Sequence, residues 1–460
     1  MAAAGLVAIS LFAACSSGGD DDSDTSTAPV ATEPTETTEA PEETVVDDTT
    51  PEETTATTEV VDDEFVDQSL TGDAPGVTDE TIKIGITYVD TEALKAVGLN
   101  YDLGQHVDVY NALIADINAN GGINGRQLEA VLTPINPSVA ASAEESCLKL
   151  TEDDDVFLIT GFFLGEAVTC PLEAHGTAVV GGSITPALSP RAAAPWAAWL
   201  ASSKQQATIT QEFYDRGLLD GNVAVYMAAA DQPDYDDIVK PLLDELGVEP
   251  VAVGINDAPT DDATAVEAQA KVIAESFKAA DADTVLLIGI GSGPGWLFAM
   301  DDDTSYRPQL LFTVTNSPRA FYTSADATDT SILEGALVGG SYGPDQARFE
   351  TESMQACATI LQAAGLETPA PQDFDPNDRA NQPYQALFQA CPDILLTKAI
   401  LERAGENLNY GTFAAAIDGL TVTIPGDPGE RTYGPAPDSG DSSAYIFKWD
   451  EATKNVVIDE

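Results

Sequence analysis

The sequence predicts an α/β protein with two lobes, each a doubly wound parallel sheet that helices cover on both faces. Three observations predict this fold class. Strand-like and helical segments alternate through residues 81–180, the alternation starts again near residue 205, and long helical stretches return after residue 345. Strands of a parallel sheet are buried on both faces and therefore appear as short apolar runs between helices. Two successive cycles followed by returning helices indicate two lobes joined by several crossings.

The first cycle opens at residues 81–88, where β-branched residues alternate as they do in a strand. Residues 107–118 have helical periodicity, and Gly121 and Gly122 end that helix because glycine readily takes the left-handed C-cap conformation. The rest of the cycle consists of predicted strands at 129–132, 156–160 and 178–180 and predicted helices at 140–150 and 167–175.

The second cycle repeats the pattern with predicted helices at 207–217, 237–246 and 265–280 and predicted strands at 222–227, 251–253 and 284–288. A helix from residue 295 and a strand at 309–314 complete it. Two longer helical stretches follow at 345–364 and 384–405, and irregular strands over 421–457 end the chain.

The N-terminus carries an apolar run over residues 6–14 that is too short to span a bilayer. It ends in two alanines directly before Cys15, which is the pattern of a secretion signal with its cleavage site. The arrangement resembles the lipobox of bacterial lipoproteins, which implies that Cys15 is lipidated and anchors the protein. The alternative is an ordinary secreted protein whose signal ends in cysteine. Both interpretations place the folded part outside the cytoplasm.

Residues 16–78 are rich in Thr, Glu, Asp and Pro, so they are predicted to be a disordered acidic tether. The whole chain has 19 basic and 77 acidic residues, a formal net charge of −58. This charge argues against nucleic acid or an anionic lipid surface as a partner. After residue 20 the chain has no apolar run long enough for a transmembrane helix.

Four cysteines remain once Cys15 is set aside, and an even number in an exported protein indicates disulfides. Of the three possible connectivities we favour the local one, Cys147 with Cys170 and Cys357 with Cys391. A zinc site is the competing interpretation. The four cysteines form no C-x-x-C pair, and the chain has only two histidines, so the composition favours disulfides.

The glycine-rich segment 289–295 follows a predicted strand and precedes a helix, as a phosphate-binding loop does. The G-x-G-x-x-G spacing fails in every frame, and no Gly-Lys-Ser/Thr follows. Ile290 also excludes a G-x-S-x-G nucleophile elbow around Ser292. The segment is then either a plain turn or a cleft loop in which Ser292 contacts a ligand. We predict a protein that is not an enzyme and that uses no cofactor or metal.

Several short motifs, in this order, resemble type I periplasmic binding proteins. They are the strand 82–85, the helix end Ile-Asn-Ala-Asn-Gly-Gly-Ile-Asn-Gly-Arg at 117–126, Pro-Tyr-Gln-Ala-Leu at 383–387, the segment 399–405, and Tyr-Gly-Pro at 433–435. The similar subgroup is the leucine/isoleucine/valine-binding-like family of ABC transporter substrate-binding lipoproteins. The resemblance covers residues 80–455.

The resemblance implies two doubly wound lobes, a three-strand hinge and a ligand cleft between the lobes. It divides the chain into a signal peptide at 1–15, the tether at 16–78, first-lobe segments at 79–202 and 339–425, and second-lobe segments at 203–338 and 426–460. It further implies a lipid-anchored protein on the outer face of the cell membrane that hands a small solute to an ABC permease.

The resemblance also implies ligand-binding positions, which we matched one by one. The family's Ser in the loop after the third strand is absent here, and Phe162 and Phe163 stand there instead, as an apolar wall or as plain packing. Ser183 and Thr185 match the next loop, where they either bind a carboxylate or cap a helix. The full predicted set is Phe162, Phe163, Ser183, Thr185, Tyr235, Ser292, Thr315 and Asn316.

The predicted function is capture of a small polar molecule, amino-acid-like, amide or carboxylate, for an ABC importer. No carboxylate lies at residues 315–317, where the family binds an amino acid's ammonium group, so a branched-chain amino acid is not the expected solute. A ligand-sensing receptor component of the same fold is the alternative function. A secreted enzyme is the third, and the failed catalytic motifs disfavour it.

Overall fold

The computed structural model of the chain describes residues 72–139, 141–185, 188–259, 262–289, 292–300, 305–322, 330–375, 378, 380–427, 429–440, 444–452 and 455–459. The predicted signal, Cys15 and the tether up to residue 71 lie outside the described residues. Among the described residues, no helix is both long and apolar enough to cross a bilayer.

The first segment of the described chain alternates strands with helices. Its strands are β1 (Thr81–Val89), β2 (Gln127–Ile135), β3 (Leu158–Gly161), β4 (Ala178–Val180), β5 (Ser183–Ile184), β6 (Trp196–Ala197) and β7 (Leu200–Ala201). Its helices are α1 (Thr91–Ala96), α2 (His106–Ala119) and α3 (Ala141–Leu148).

The second segment continues the alternation. Its helices are α4 (Ser202–Asp215), α5 (Gln232–Asp234), α6 (Lys240–Leu246), α7 (Ala263–Ala279), α8 (Ser292–Met300) and α9 (Asn316–Tyr322). Its strands are β8 (Val223–Ala228), β9 (Ala252–Asn256), β10 (Thr284–Ile288), β11 (Gln309–Phe312) and β12 (Leu337–Gly340).

The last segment supplies helices first and strands afterwards. The helices are α10 (Asp345–Phe349), α11 (Glu352–Ala363), α12 (Gln385–Ala404) and α13 (Tyr410–Ile417). The strands are β13 (Thr421–Thr423), β14 (Glu430–Thr432), β15 (Tyr445–Asp450) and β16 (Asn455–Ile458).

Two sheets define the two lobes of the described chain. The first lobe has a five-stranded sheet in the order β2-β1-β3-β4-β6, with every pair parallel. The second lobe has a seven-stranded sheet in the order β16-β15-β12-β11-β10-β8-β9. Its strands β8 to β12 are parallel and repeat the strand order of the first lobe, while β15 and β16 pair antiparallel at one edge. The predicted mixed α/β class with parallel sheets is confirmed.

Burial on both faces of each sheet explains why the strands are so apolar. In β10, Val285 and Leu287 belong to the core cluster that contains Trp296, whereas Leu286 and Ile288 belong to the cluster on the opposite face. All four side chains are fully buried. Alternate residues of a strand point to opposite faces, so this sheet buries both of its faces under helices.

The first lobe closes its core with helices from both ends of the chain. The buried face of α2 meets α11, α12 and α13 in one cluster with β1. Residues 73–77 already contact this lobe, because the Asp73 carbonyl accepts the Tyr410 N–H at 3.0 Å and the Gly76 carbonyl accepts the Lys83 N–H at 2.9 Å. The folded part therefore begins before residue 79, the predicted start of the first lobe.

The described chain passes between the lobes three times, after β7, after β12 and before β15. The first and third passages touch, since the Ala198 N–H donates to the Asp438 carbonyl at 2.8 Å and Lys204 pairs with the Asp438 carboxylate at 2.7 Å. Tyr433 is buried in the first-lobe core, so the final return to the second sheet starts at β15, further along the chain than the predicted boundary at 426.

Both predicted disulfides form, each within the first lobe. Cys147 in α3 bonds to Cys170, with Cα atoms 6.3 Å apart, and Cys357 in α11 bonds to Cys391 in α12, with Cα atoms 6.1 Å apart. The local connectivity is confirmed. His175 lies near Cys147 and Cys170. The sulfurs of these two cysteines are bonded to each other, so they offer no thiolate to a zinc ion.

Candidate functional site

The carboxyl edge of the first sheet holds the predicted residues that follow β3. Phe162 is fixed by Thr87, whose carbonyl accepts the Phe162 N–H at 2.9 Å and whose hydroxyl donates to the Phe162 carbonyl at 2.6 Å. Gly161 has φ +111°, and a Cβ there would lie 2.1 Å from the Thr87 carbonyl oxygen. Only glycine allows this close approach, which turns the chain sharply out of the sheet.

The loop after β4 lies beside the same turn. Phe163 packs against the apolar clusters beneath it and lies within contact distance of Gly182. Ser183 is exposed, and the Thr185 hydroxyl accepts the Leu188 N–H at 3.3 Å. Phe163 therefore lies next to the segment that contains Ser183. Thr185 caps a short turn, which agrees with the capping role that was one of its two predicted roles.

A buried carboxyl group lies under this loop. The Asp393 carboxylate on α12 accepts hydrogen bonds from the Tyr110 hydroxyl at 2.6 Å and from the Trp199 indole at 2.8 Å, and it is 1 % exposed. Burial raises the pKa of Asp393 to about 7, and the hydrogen bonds from Tyr110 and Trp199 offset part of that shift. The Asp393 carboxyl group thus links α2 and α12 to the residue that directly precedes β7.

Gly289 opens the glycine-rich segment directly after β10. The Gly289 N–H donates to the buried Thr313 hydroxyl at 3.1 Å. Gly289 has φ +75°, and a Cβ there would lie 2.1 Å from a carboxylate oxygen of Asp231. The positive φ favours glycine here, and any larger residue would also have to displace the Asp231 side chain. Ser292 and Asn316 are the first residues of α8 and α9, and their side chains lie outside the described part of the structure.

Tyr235, which the resemblance matched to a ligand-binding position, lies in a helical segment of the second lobe. The chain is helical over residues 232–239, and Tyr235 is 6 % exposed within the second-lobe core that contains Phe213 and Leu243. Burial raises the pKa of its hydroxyl. Pro233 stands in the first turn of this helical segment, a position that suits proline.

A cavity of about 490 Å³ lies where the second passage leaves β12, and we call it the interlobe cavity. Thr315 is the one predicted residue that lines it. Its second-lobe wall comes from α9, β15 and β16, its first-lobe wall from residues 371–374 and 384, and its floor from the passage itself. The lining residues are Thr315, Arg319, Tyr322, Tyr342, Gly343, Pro344, Asp345, Gln346, Arg348, Pro371, Gln372, Phe374, Tyr384, Phe447, Asn455 and Val456.

Charged and aromatic groups of the cavity wall contact one another. Asp345 accepts a hydrogen bond from the Tyr384 hydroxyl at 3.1 Å and pairs with Arg348 at 3.5 Å. The Arg348 guanidinium lies between two rings, 4.7 Å from the centroid of Tyr342 and 4.6 Å from that of Phe388. Burial, with the charge of Asp345 adding to it, raises the pKa of Tyr384, so its hydroxyl stays a donor at neutral pH.

Sequence reasoning missed this cavity apart from Thr315. Its wall residues come from separate segments between positions 315 and 456, and no motif spans them. One signal in the sequence pointed to this region. The chain has only 19 basic residues, and two of them, Arg319 and Arg348, line this cavity.

Comparison with solved structures finds the same architecture in solute-binding proteins of ABC transporters. One from R. palustris, in complex with 4-hydroxybenzoate, superposes with a TM-score of 0.54 at 15% sequence identity, covering 83% of this chain and 96% of that chain. A fatty acid ABC transporter substrate-binding protein from Thermomonospora curvata gives a TM-score of 0.53 at 16% identity, covering 85% of this chain and 94% of that chain.

A third structure, an ABC transporter substrate-binding protein from Desulfitobacterium hafniense in complex with Leu, gives a TM-score of 0.54 at 14% identity, covering 82% of this chain and 100% of that chain. No protein-family model and no curated protein matches the sequence. At these identities the likeness concerns the fold. The chain has the fold of the type I periplasmic binding proteins, as its sequence motifs predicted.

Proposed function

We propose that this chain is an extracytoplasmic solute-binding protein that captures a small molecule between its lobes and delivers it to an ABC importer. The observation that carries the proposal is the interlobe cavity, whose walls come from both lobes and from a passage between them. Its volume of about 490 Å³ lies within the usual range of small-molecule sites. A ligand that contacts both walls favours the closed arrangement of the lobes, because only that arrangement provides all contacts at once.

The ligands of the solved structures that share this fold support this function. Their ligands include 4-hydroxybenzoate and Leu, and one is described as a fatty acid transporter component. All of these solutes are small and carry a carboxylate. We accordingly propose a small polar or anionic solute for this chain, with the loops at Phe162, Ser183 and Thr185 and those at Ser292, Thr315 and Asn316 as the margins of the cleft.

Titration calorimetry of the purified protein tests this function. The panel contains amino acids, amides, and aliphatic and aromatic carboxylates, each added to protein from which bound solute has been removed by unfolding and refolding. We expect at least one compound to bind with one site per chain, and we expect no compound of the panel to be chemically converted. Turnover of a panel compound would support an enzyme instead, and heat from no compound would count against a solute-binding role.

We further propose that Cys15 is lipidated and anchors the protein to the outer face of the membrane. The apolar run and small residues before Cys15 support this anchor. In cells fed a labelled fatty acid, the wild type should carry the label, and Cys15→Ala should lose it and appear in the medium. Cys147→Ala provides a control that should keep the label. Labelling of Cys15→Ala as strong as that of wild type would contradict the anchor.

A further inference from the structure

One group of three metal-ligating side chains occurs among the described residues, and it lies outside the interlobe cavity. The sulfurs of Cys147 and Cys170 and a ring nitrogen of His175 all lie within 4.8 Å of one another. None of these residues lines the cavity. Thiolate sulfur and imidazole nitrogen are ligands that Zn²⁺ prefers in proteins. In the oxidised protein the group is a disulfide with a histidine beside it, and reduction turns it into a set of zinc ligands.

The local backbone brings a carboxylate to the same place. Each cysteine is followed five residues later by another polar group, Cys147 by Glu152 and Cys170 by His175. Glu152 lies in one π-helical turn and Cys170 begins another, in which the His175 N–H donates to the Cys170 carbonyl at 3.2 Å. The Glu152 carboxylate lies 3.8 Å from Nδ1 of His175. A carboxylate beside a ligating histidine orients the ring and strengthens metal binding.

The disulfide is separated from a zinc site by a small movement. Two thiolates on a tetrahedral zinc ion lie about 3.7 Å apart, because each Zn–S bond is about 2.3 Å long. The sulfurs of a disulfide are about 2.0 Å apart, so they must separate by about 1.7 Å. Cys147 lies at the end of α3 and Cys170 at the start of its helical turn. Rotation of the two side chains about their own bonds supplies a movement of this size.

This disulfide is the more accessible of the two. Cys147 is 5 % exposed and Cys170 is 7 % exposed, whereas Cys357 and Cys391 are at most 1 % exposed. The His175 side chain beside the first pair is 19 % exposed. Thiol–disulfide exchange requires that a thiolate reach one of the bonded sulfurs. A dithiol in solution is therefore expected to reduce the first pair before the second.

We propose that the reduced protein binds Zn²⁺ through Cys147, Cys170 and His175, with Glu152 orienting the histidine ring. A dithiol breaks the S–S bond, is oxidised to a cyclic disulfide, and passes two electrons and two protons to the two cysteines. Binding of the ion then releases the two thiol protons, because thiolates are the ligands. The ion restores the link between α3 and the segment at Cys170 that the disulfide provides in the oxidised protein.

Co²⁺ is the first probe, because cobalt bound by thiolates gives a sulfur-to-metal charge-transfer band that zinc lacks. The protein is reduced with dithiothreitol, desalted under nitrogen, and titrated first with Co²⁺ and then with Zn²⁺. We expect the band to saturate at one Co²⁺ per chain and to disappear when one equivalent of Zn²⁺ is added, since zinc binds such sites more tightly than cobalt. The oxidised protein should show no band.

Variants connect the metal to these residues. His175→Ala should weaken Zn²⁺ binding by the reduced protein roughly tenfold or more, measured by competition with a chromogenic chelator. Glu152→Gln should weaken it about tenfold, and Asp153→Asn, which removes the neighbouring exposed acid, should bind as wild type does. Cys147→Ala with Cys170→Ala should abolish the cobalt band. His175→Ala keeps its disulfide, so thermal unfolding of the oxidised variant shows whether it is folded.

The outcomes that would overturn this site are independent of the proposed function. They are the absence of the cobalt band from the reduced protein, an equal band from the oxidised protein, and unchanged Zn²⁺ affinity of His175→Ala. Equal Zn²⁺ affinity of the reduced chain in urea would also overturn it, because an unfolded chain binds metal through its thiols without this geometry. Each of these results leaves solute binding by the oxidised protein as it is.

Discussion

Asp393→Asn should make the protein more stable, and the gain should grow as the pH rises. Burial raises the pKa of this carboxyl from 3.8 to about 7 in the folded protein. Between these two values the folded state holds a proton that the unfolded state has released, so stability falls as the pH rises through this range and levels off above it. The full cost of the charge is about 4 kcal/mol.

The amide that Asp393→Asn introduces removes this pH dependence and can keep both hydrogen bonds, because its oxygen accepts from Trp199 and its nitrogen donates to the Tyr110 oxygen. Urea unfolding at pH 5 and pH 8 measures the effect. The variant's advantage over wild type should be about 2–3 kcal/mol larger at pH 8 than at pH 5. Asp108→Asn, at an exposed position on α2, serves as the control that removes a surface carboxylate. An advantage that does not vary with pH would mean that the carboxyl titrates normally.

Loss of the disulfide between α11 and α12 should destabilise the first lobe by about 4 kcal/mol. Cys357 and Cys391 are 34 residues apart in sequence, and the bond restricts the unfolded chain over that whole loop. Both residues are at most 1 % exposed, so the paired replacement Cys357→Ala with Cys391→Ala also leaves a small void in the core.

The matched comparison is the pair Cys147→Ala with Cys170→Ala, whose 23-residue separation predicts a loss of about 3 kcal/mol. Chemical denaturation of the three proteins measures these losses. Peptide mapping without reductant should recover the two native linkages from wild type. Free thiols at all four positions, or stabilities equal to that of wild type, would refute the structural role of these bonds.

The elements that the sequence predicted well are those in which local pattern and tertiary burial agree. The strand at β1 and the helix at α2 show clear periodicity because each buries a continuous face in the first-lobe core. The local disulfide pairs were predictable because short loops bring their cysteines together. Residues 345–364 were predicted as one helical stretch, but the backbone of Thr351 is extended and separates α10 from α11.

The site was harder to predict because it depends on how the lobes are arranged. Thr315 was reached only through the resemblance, which matched it to a ligand-binding position; it follows a strand of the second sheet, where ligands meet parallel sheets. Arg319, Arg348 and Tyr384 come together only through the passage after β12 and the packing of α9 against β16, where Tyr322 donates to the Asn455 side chain at 3.3 Å. No local pattern records such contacts. Tyr235 was matched to a ligand-binding position through the resemblance alone, and its burial in the second-lobe core is a tertiary property that no local pattern indicated.

Solute binding requires that the chain hold one small molecule between its lobes. Native mass spectrometry of protein purified without denaturation detects such a complex, because a solute enclosed by two lobes dissociates slowly and survives gentle transfer. We expect a complex of one chain with one small molecule, a mass difference that disappears when the protein is unfolded, and an identifiable carboxylate among the released compounds. Detection of the bare chain alone, both as purified and after incubation with the whole ligand panel, would contradict it.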